Sequence, residues 1–315
     1  MSHIRMNNTR KIVPTIGFLS IVPSNASNES PNADCIRRYY KGAKARAEQL
    51  GFGIELFEFD QNQYSNQRIQ QVLHSRGIEG LILSPTTSNC KELELDWSEF
   101  ALIAIGCFHN FSNTHRVSYD HFNCIQQVMK QLQARNYKRI GFITNQETEA
   151  QTGHLYSGGY LEYQSRLMPQ SDRVPPIILH QEGTSHNPND CKIISQWYRD
   201  YKPDTVIGIR DESFQHLQSL GCEIPKSTGY VALRWNDKLN GFSGYHQSMK
   251  RIGSVAIDSL ANMLYQNERG LPHRSISTLL LGDFIEGETL RTVAGGHNLQ
   301  FADMLEATNS EILGA

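Results

Sequence analysis

Residues Thr15–Val22 read TIGFLSIV, and the fold of the chain turns on this run and the segments after it. The run is short, β-branched and nearly continuously apolar, which marks a strand covered on both faces, as in a parallel sheet. Pro, Ser and Asn crowd the loop at 23–32. Ala33–Leu50 then carries Tyr39, Ala43, Ala47 and Leu50 at helical spacing, and Gly51 stops it. Gly53–Phe59 reads as a second strand. Asn66–Ser75 reads as a helix with Ile69, Val72 and Leu73 on one face, and Gly80–Leu83 as a buried strand ended by Ser84-Pro85.

The alternation continues outward. Ala101–Gly106 is a strand, Asp120 caps a helix running to about Asn136, and Arg139–Thr144 is a strand. A second series comes after the loop at 146–150. It has helices at His154–Leu167, Asn187–Arg199 and Glu212–Leu220, and strands at Val174–Leu179, Thr205–Ile209 and Gly229–Leu233. Ser248–Gln266 is the longest helix and Ser277–Phe284 the last strand material. Gly295-Gly296 sets off a tail in which Phe301, Met304, Leu305 and Ile312 suit one short amphipathic helix. Two successive β-α-β series predict an α/β chain of two doubly wound parallel-sheet subdomains. Ligands in such sheets sit beyond the carboxyl ends of the strands, so loops 23–34, 84–89, 106–110, 145–156, 210–212 and 234–237 are the ones to watch.

Composition narrows the classes. A chain of 315 residues accommodates about two domains. Apolar residues at 39% and charged residues at 20% exclude a disordered tail. Thirty Lys+Arg against 32 Asp+Glu leave a net charge of −2, without the basic excess that grips a phosphate backbone. The six cysteines, at 35, 90, 107, 124, 191 and 222, form no CxxC pair and no metal-ligand spacing. They read as reduced thiols of a cytoplasmic protein. Arg5, Arg10 and Lys11 precede the first apolar run, but Pro14 and Gly17 interrupt it and no cleavage site comes after it, so a signal peptide is not expected. No run approaches the roughly 18 apolar residues that span a bilayer. HExxH, GxSxG, a P-loop and a strand-linked GxGxxG are all missing, and no acidic pair stands on adjacent strand ends. No catalytic residue, metal or cofactor is predicted.

Several segments together resemble one family. Tyr39-Tyr40-Lys41-Gly42-Ala43 with Ala47-Glu48-Gln49-Leu50-Gly51-Phe52 looks like the first helix of LacI/GalR-type regulator cores. Leu73-His74-Ser75-Arg76-Gly77-Ile78-Glu79-Gly80-Leu81-Ile82-Leu83-Ser84-Pro85 resembles their second helix and third strand. Val117-Ser118-Tyr119-Asp120, then Leu132 and Tyr137-Lys138-Arg139-Ile140-Gly141-Phe142-Ile143, resembles their central signature, with Asn136 where glycine is usual. Gly159-Tyr160 and Ile252-Gly253-Ser254-Val255-Ala256…Leu260 match two later pieces. The order and spacing of these pieces, over roughly residues 12–292, carry the likeness.

The resemblance implies a periplasmic-binding-protein-like fold of type I, its two subdomains joined by three crossovers and closing on a small ligand. The expected division is a leader at 1–11, a first subdomain of 12–147 plus 248–272, a second of 148–245 plus 276–292, and a tail at 293–315. It further implies a cytoplasmic, homodimeric repressor with no membrane partner. A sugar or sugar derivative would be its effector, and operator DNA would be bound through a helix-turn-helix headpiece of about sixty residues. The eleven residues before the first strand are too few for that headpiece. Either it has been removed from this chain or the gene has none. The alternative function on the same fold is a periplasmic solute-binding protein for a sugar transporter, which needs export.

By the same resemblance Asp120 holds the place of the family's ligand-binding aspartate, though a plain helix cap explains it equally. Tyr156 stands where an arginine is usual, so a bidentate fork to hydroxyls is lost. Arg210-Asp211 replaces Asn-Asp after a strand. Trp235, within Leu233-Arg234-Trp235-Asn236-Asp237, replaces an aspartate, and Gln247 falls on the hinge side of the cleft. Ser84 borders the cleft or is simply a turn residue. Tyr156 and Trp235 suit a sugar ring's apolar face. Arg210 suits a carboxylate or phosphate, or an ion pair with Asp211 or Glu212. Trp235 reads equally as a partly buried core aromatic.

Overall fold

The protein is described by a computed structural model over residues 14–22, 31–60, 62–85, 93–106, 113–180 and 188–291. The expected leader, the tail and most of the loops at 23–34, 84–89 and 106–110 lie outside the described residues.

Two six-stranded sheets form the frame. The first contains β1 (Thr15–Val22), β2 (Gly53–Asp60), β3 (Ile78–Leu83), β4 (Ala101–Ile105), β5 (His115–Tyr119) and β11 (Ser277–Leu280), in the order β11-β5-β4-β3-β1-β2, all parallel. The second contains β6 (Ile140–Asn145), β7 (Ile177–Leu179), β8 (Thr205–Gly208), β9 (Gly229–Trp235), β10 (Ser243–His246) and β12 (Asp283–Ile285), in the order β12-β10-β9-β8-β6-β7. Only β12 runs antiparallel to its neighbour there. The windings 2-1-3-4-5 and 7-6-8-9-10 repeat one topology, so the alternation in the sequence is the doubly wound fold it predicts.

Each sheet is covered on both faces. Along β1, Ile16 and Phe18 face one core with α1 (Pro31–Leu50) and α8 (Met249–Tyr265). Leu19 and Ile21 face another with α2 (Asn66–Ser75). This is why TIGFLSIV has no polar alternation. In the second sheet α3 (His121–Ala134) and α5 (Leu155–Leu167) cover one face. The other is covered by α6 (Pro188–Tyr201) and α7 (Glu212–Ser219).

Glycines permit the closest approaches. A Cβ on Gly42 of α1 would stand 1.9 Å from the Lys250 carbonyl oxygen, and one on Gly253 of α8 2.0 Å from that of Tyr39. The two backbones touch there, and Arg46 of α1 bonds Asp258 of α8 at 2.6 Å. Asn136, after α3, has φ +61°. That is the left-handed stop usually taken by glycine, and asparagine tolerates it.

Among the described residues the chain passes between the sheets three times, and the passages differ from the expected division. The first comes at Asp120, between β5 and α3. The apolar side of α3 (Cys124, Ile125, Val128, Met129, Leu132) packs in the second subdomain's core, and β6 lies in the second sheet. The boundary thus falls at 120 rather than 147. The second passage is Gln247-Ser248, between β10 and α8. The third is Leu281-Gly282, and before it β11 completes the first sheet, so 276–292 does not lie wholly in the second as expected. Periodicity identifies an apolar helix or strand but not the sheet that receives it. The strands β5 and β10 and the short helix α4 (Gln146–Thr152) are additions to the elements expected from periodicity; β10 is four residues long and α4 seven.

Candidate cleft between the subdomains

The three passages lie side by side. The Asp120 amide donates to the Leu280 carbonyl at 3.0 Å, and the Gly282 amide donates to the Tyr245 hydroxyl at 2.8 Å. A Cβ on Gly282 would meet the His246 carbonyl oxygen at 2.3 Å. Asp120 caps α3: one carboxylate oxygen accepts from the Asn123 amide at 2.9 Å and the other from the Asn123 side chain at 2.7 Å.

Next to this strip the structure brings together two residues that lie far apart in sequence. Gln247 donates its side-chain amide to the Tyr156 hydroxyl at 2.6 Å, and both are buried. Burial first, and Asp120 second, push the nearby Cys124 thiol well up, with Gln247 opposing. The Tyr156 ring is met edge-on by His121, with centroids 4.8 Å apart, and the Tyr119 ring meets His121 edge-on at 6.2 Å. His121 is 7% exposed and its Nδ1 has no hydrogen-bond partner among the described residues. Burial, with Arg234 nearby, pushes its pKa down to about 3, so the ring is neutral.

Opposed walls complete the cleft. From the first subdomain α1 supplies Asp34, Cys35 and Arg38. Arg38 bonds Asp34 at 2.9 Å and reaches across to Asp237 of the second subdomain at 3.8 Å. Arg210, beyond the end of β8, and Arg234, in β9, both act electrostatically on Cys35. Burial nonetheless pushes the Cys35 thiol up, the arginines opposing it. Arg210 forms no ion pair with Asp211 or Glu212. Asp211 instead accepts from the Gln215 side chain at 3.3 Å at the start of α7.

Trp235 sits at a β-bulge. Gly244 pairs with Ala232 but His246 with Trp235, so β9 carries one extra residue, at Leu233-Arg234. The bulge turns Trp235 away from the face of Val231 and Leu233 and onto the α6–α7 face. There its indole N–H donates to the Phe242 carbonyl at 3.0 Å and its ring meets His246 edge-on. Ser84 is buried at the end of β3, its amide bonded to the Leu19 carbonyl at 2.9 Å, its hydroxyl 3.4 Å from the Pro85 carbonyl. Sequence reasoning singles out neither His121, Cys35 and Arg38 nor Arg234. His121 comes directly after the capping aspartate, and Arg234 neighbours Trp235. The signals absent from the sequence are the bulge and the approach of the opposite wall.

No family model matches the chain, and no curated protein matches it. Solved structures do. A periplasmic binding protein/LacI transcriptional regulator from Alkaliphilus metalliredigens, complexed with D-xylulofuranose, superposes with a TM-score of 0.62 at 18% identity, over 88% of this chain and 99% of that one. The lac repressor dimer bound to operator and the anti-inducer ONPF gives 0.62 at 14% identity, over 90% and 96%. The regulator CelR in complex with cellobiose gives 0.65 at 13%, over 87% and 84%. The chain has the two-subdomain α/β fold shared by LacI-type regulators and periplasmic-binding-protein-like cores.

Proposed function

We propose that this chain is the effector-sensing core of a transcriptional regulator and binds a small molecule, a sugar or sugar derivative, between its subdomains. The observation that carries the reading is the convergence of polar groups from both subdomains on one point beside the three passages, with Arg38 and Asp237 meeting across it at 3.8 Å. Occupancy would change the angle between subdomains and so bias DNA affinity, with reciprocal coupling between effector and operator. In this reading Asp120, Tyr156, Gln247, Arg210, Asp211, Ser84 and Trp235 border the effector. In this reading the chain acts without catalysis, in the cytoplasm, as a homodimer. Among the described residues no helix is long and apolar enough to cross a membrane.

A thermal-shift screen against neutral sugars, uronic acids, sugar phosphates and nucleosides tests this. A ligand at about 100 times its Kd should stabilise the fold by about 2.7 kcal/mol. Silence from every class would contradict the reading.

A further inference from the structure

The cores of the two subdomains are joined through buried rings. Tyr119, the last residue of β5, belongs to the first subdomain's core, and Tyr156, in α5, to the second's. His121, the first residue of α3, meets both rings edge-on, with centroids 6.2 Å and 4.8 Å away. The Tyr156 hydroxyl in turn accepts from the Gln247 side chain, at the second passage, at 2.6 Å. All four side chains are buried. The other passages are tied to this strip. The Asp120 amide donates to the Leu280 carbonyl at 3.0 Å, and the Gly282 amide to the Tyr245 hydroxyl at 2.8 Å. That hydroxyl donates to the Gln127 side chain of α3 at 3.2 Å. Rotating one subdomain against the other turns the backbone at the passages, so it pulls Gln247 from Tyr156 and His121 from one of its two rings. A buried amide donor that loses its acceptor away from water is costly. Edge-on aromatic pairs contribute beyond the area they bury.

We propose that Tyr119, His121, Tyr156 and Gln247 form a built-in latch that sets the angle between the subdomains before any molecule is bound. The four residues come from β5, the first passage, α5 and the second passage, so the latch spans both subdomains and two of the three passages. Each acts as a positioning residue. A molecule that selects another angle has to break the latch, and its apparent affinity is reduced by the small unlatched fraction. The latch is a property of the free chain, so it stands or falls independently of the effector-sensing reading.

The test is hydrogen exchange on the ligand-free chain. It is read at the amides of Asp120, Met249 and Gly282, each bonded at a passage, with amides in the middle of β1 and β8 as the reference. In the unaltered chain the three passage amides should exchange at least about tenfold more slowly than unbonded loop amides. Exchange at the loop rate would overturn the proposal outright. Tyr156→Phe removes the acceptor and keeps the ring, and Gln247→Met removes the donor and keeps a similar volume. Each should speed exchange at all three passages by about 5–30-fold, with β1 and β8 changed less. The double variant should do no more than the stronger single one, because both remove the same bond. Tyr163→Phe is the control. It removes a hydroxyl from a buried tyrosine of the same helix, whose bond to the Gln133 side chain at 2.8 Å lies wholly within the second subdomain. It should leave the passages no faster than the reference strands. If Tyr156→Phe does not fold, Gln247→Met decides the matter alone. Passages no faster than the reference in the latch variants, or equally fast in the control, would overturn the proposal.

Discussion

His121 shows how much a single position decides at the junction of the subdomains. Its ring is buried against Tyr119 and Tyr156, and its pKa falls from 6.5 to about 3, through burial first and Arg234 second. Between these values the unfolded chain binds a proton here that the folded chain does not. The site therefore costs no stability above pH 6.5 and progressively more as the pH falls toward about 3. The slope is about 1.4 kcal/mol per pH unit. His121→Phe keeps a flat ring against the tyrosines and removes the proton. Denaturant unfolding between about pH 6 and pH 4 should lose roughly that slope in the variant. An unchanged slope would mean that His121 titrates normally. At this scale the sequence is partly legible. Asp120 is readable as a cap from its position alone, and it is one. Trp235 is readable as an aromatic at a strand end, but the face it takes depends on a bulge created by pairing with β10, which no local pattern announces.

At the scale of elements, the glycines in the recognisable segments are places where helices touch. Gly158 and Gly159 are neighbours in α5 with opposite surroundings. A Cβ on Gly158 meets nothing within 4 Å, whereas one on Gly159 would lie 2.8 Å from both Ile125 Cγ2 and the Phe122 carbonyl oxygen of α3. Gly158→Ala should therefore stabilise the fold by about 0.5–1 kcal/mol through helix propensity. Gly159→Ala should destabilise it by about 1–3 kcal/mol through overpacking. Thermal or urea unfolding of the pair would show it, and equal effects would contradict the α3–α5 packing. Long helices and fully buried strands are legible because their apolar periodicity is strong. β10 is not, since four residues are too few to show a period. The stretch before Gly158 that reads as a loop holds α4, capped by the Asn145 side chain on the Thr148 amide at 2.7 Å.

At the scale of the molecule, two copies of one winding face each other across three passages. The number of sheets and their repetition can be read from the order of strands and helices. The places where the chain changes sheet cannot. α3 has an apolar side that would suit either sheet, and only its packing against α5 shows which one receives it. The cleft walls come from segments some 170–200 residues apart, Cys35 and Arg38 against Arg210, Arg234 and Asp237, so their meeting is a property of the closed fold. The Arg38–Asp237 contact is too exposed to hold the walls together by itself, since surface pairs contribute about 0–1 kcal/mol.

Hydrogen exchange measured with and without a stabilising ligand from the screen tests this central claim most directly. Binding in the cleft predicts protection on both walls at once, at the start of α1 and at the ends of β8 and β9, together with altered exchange at Asp120, Gln247-Ser248 and Leu281-Gly282. Protection confined to one subdomain, with the three passages unchanged, would contradict it.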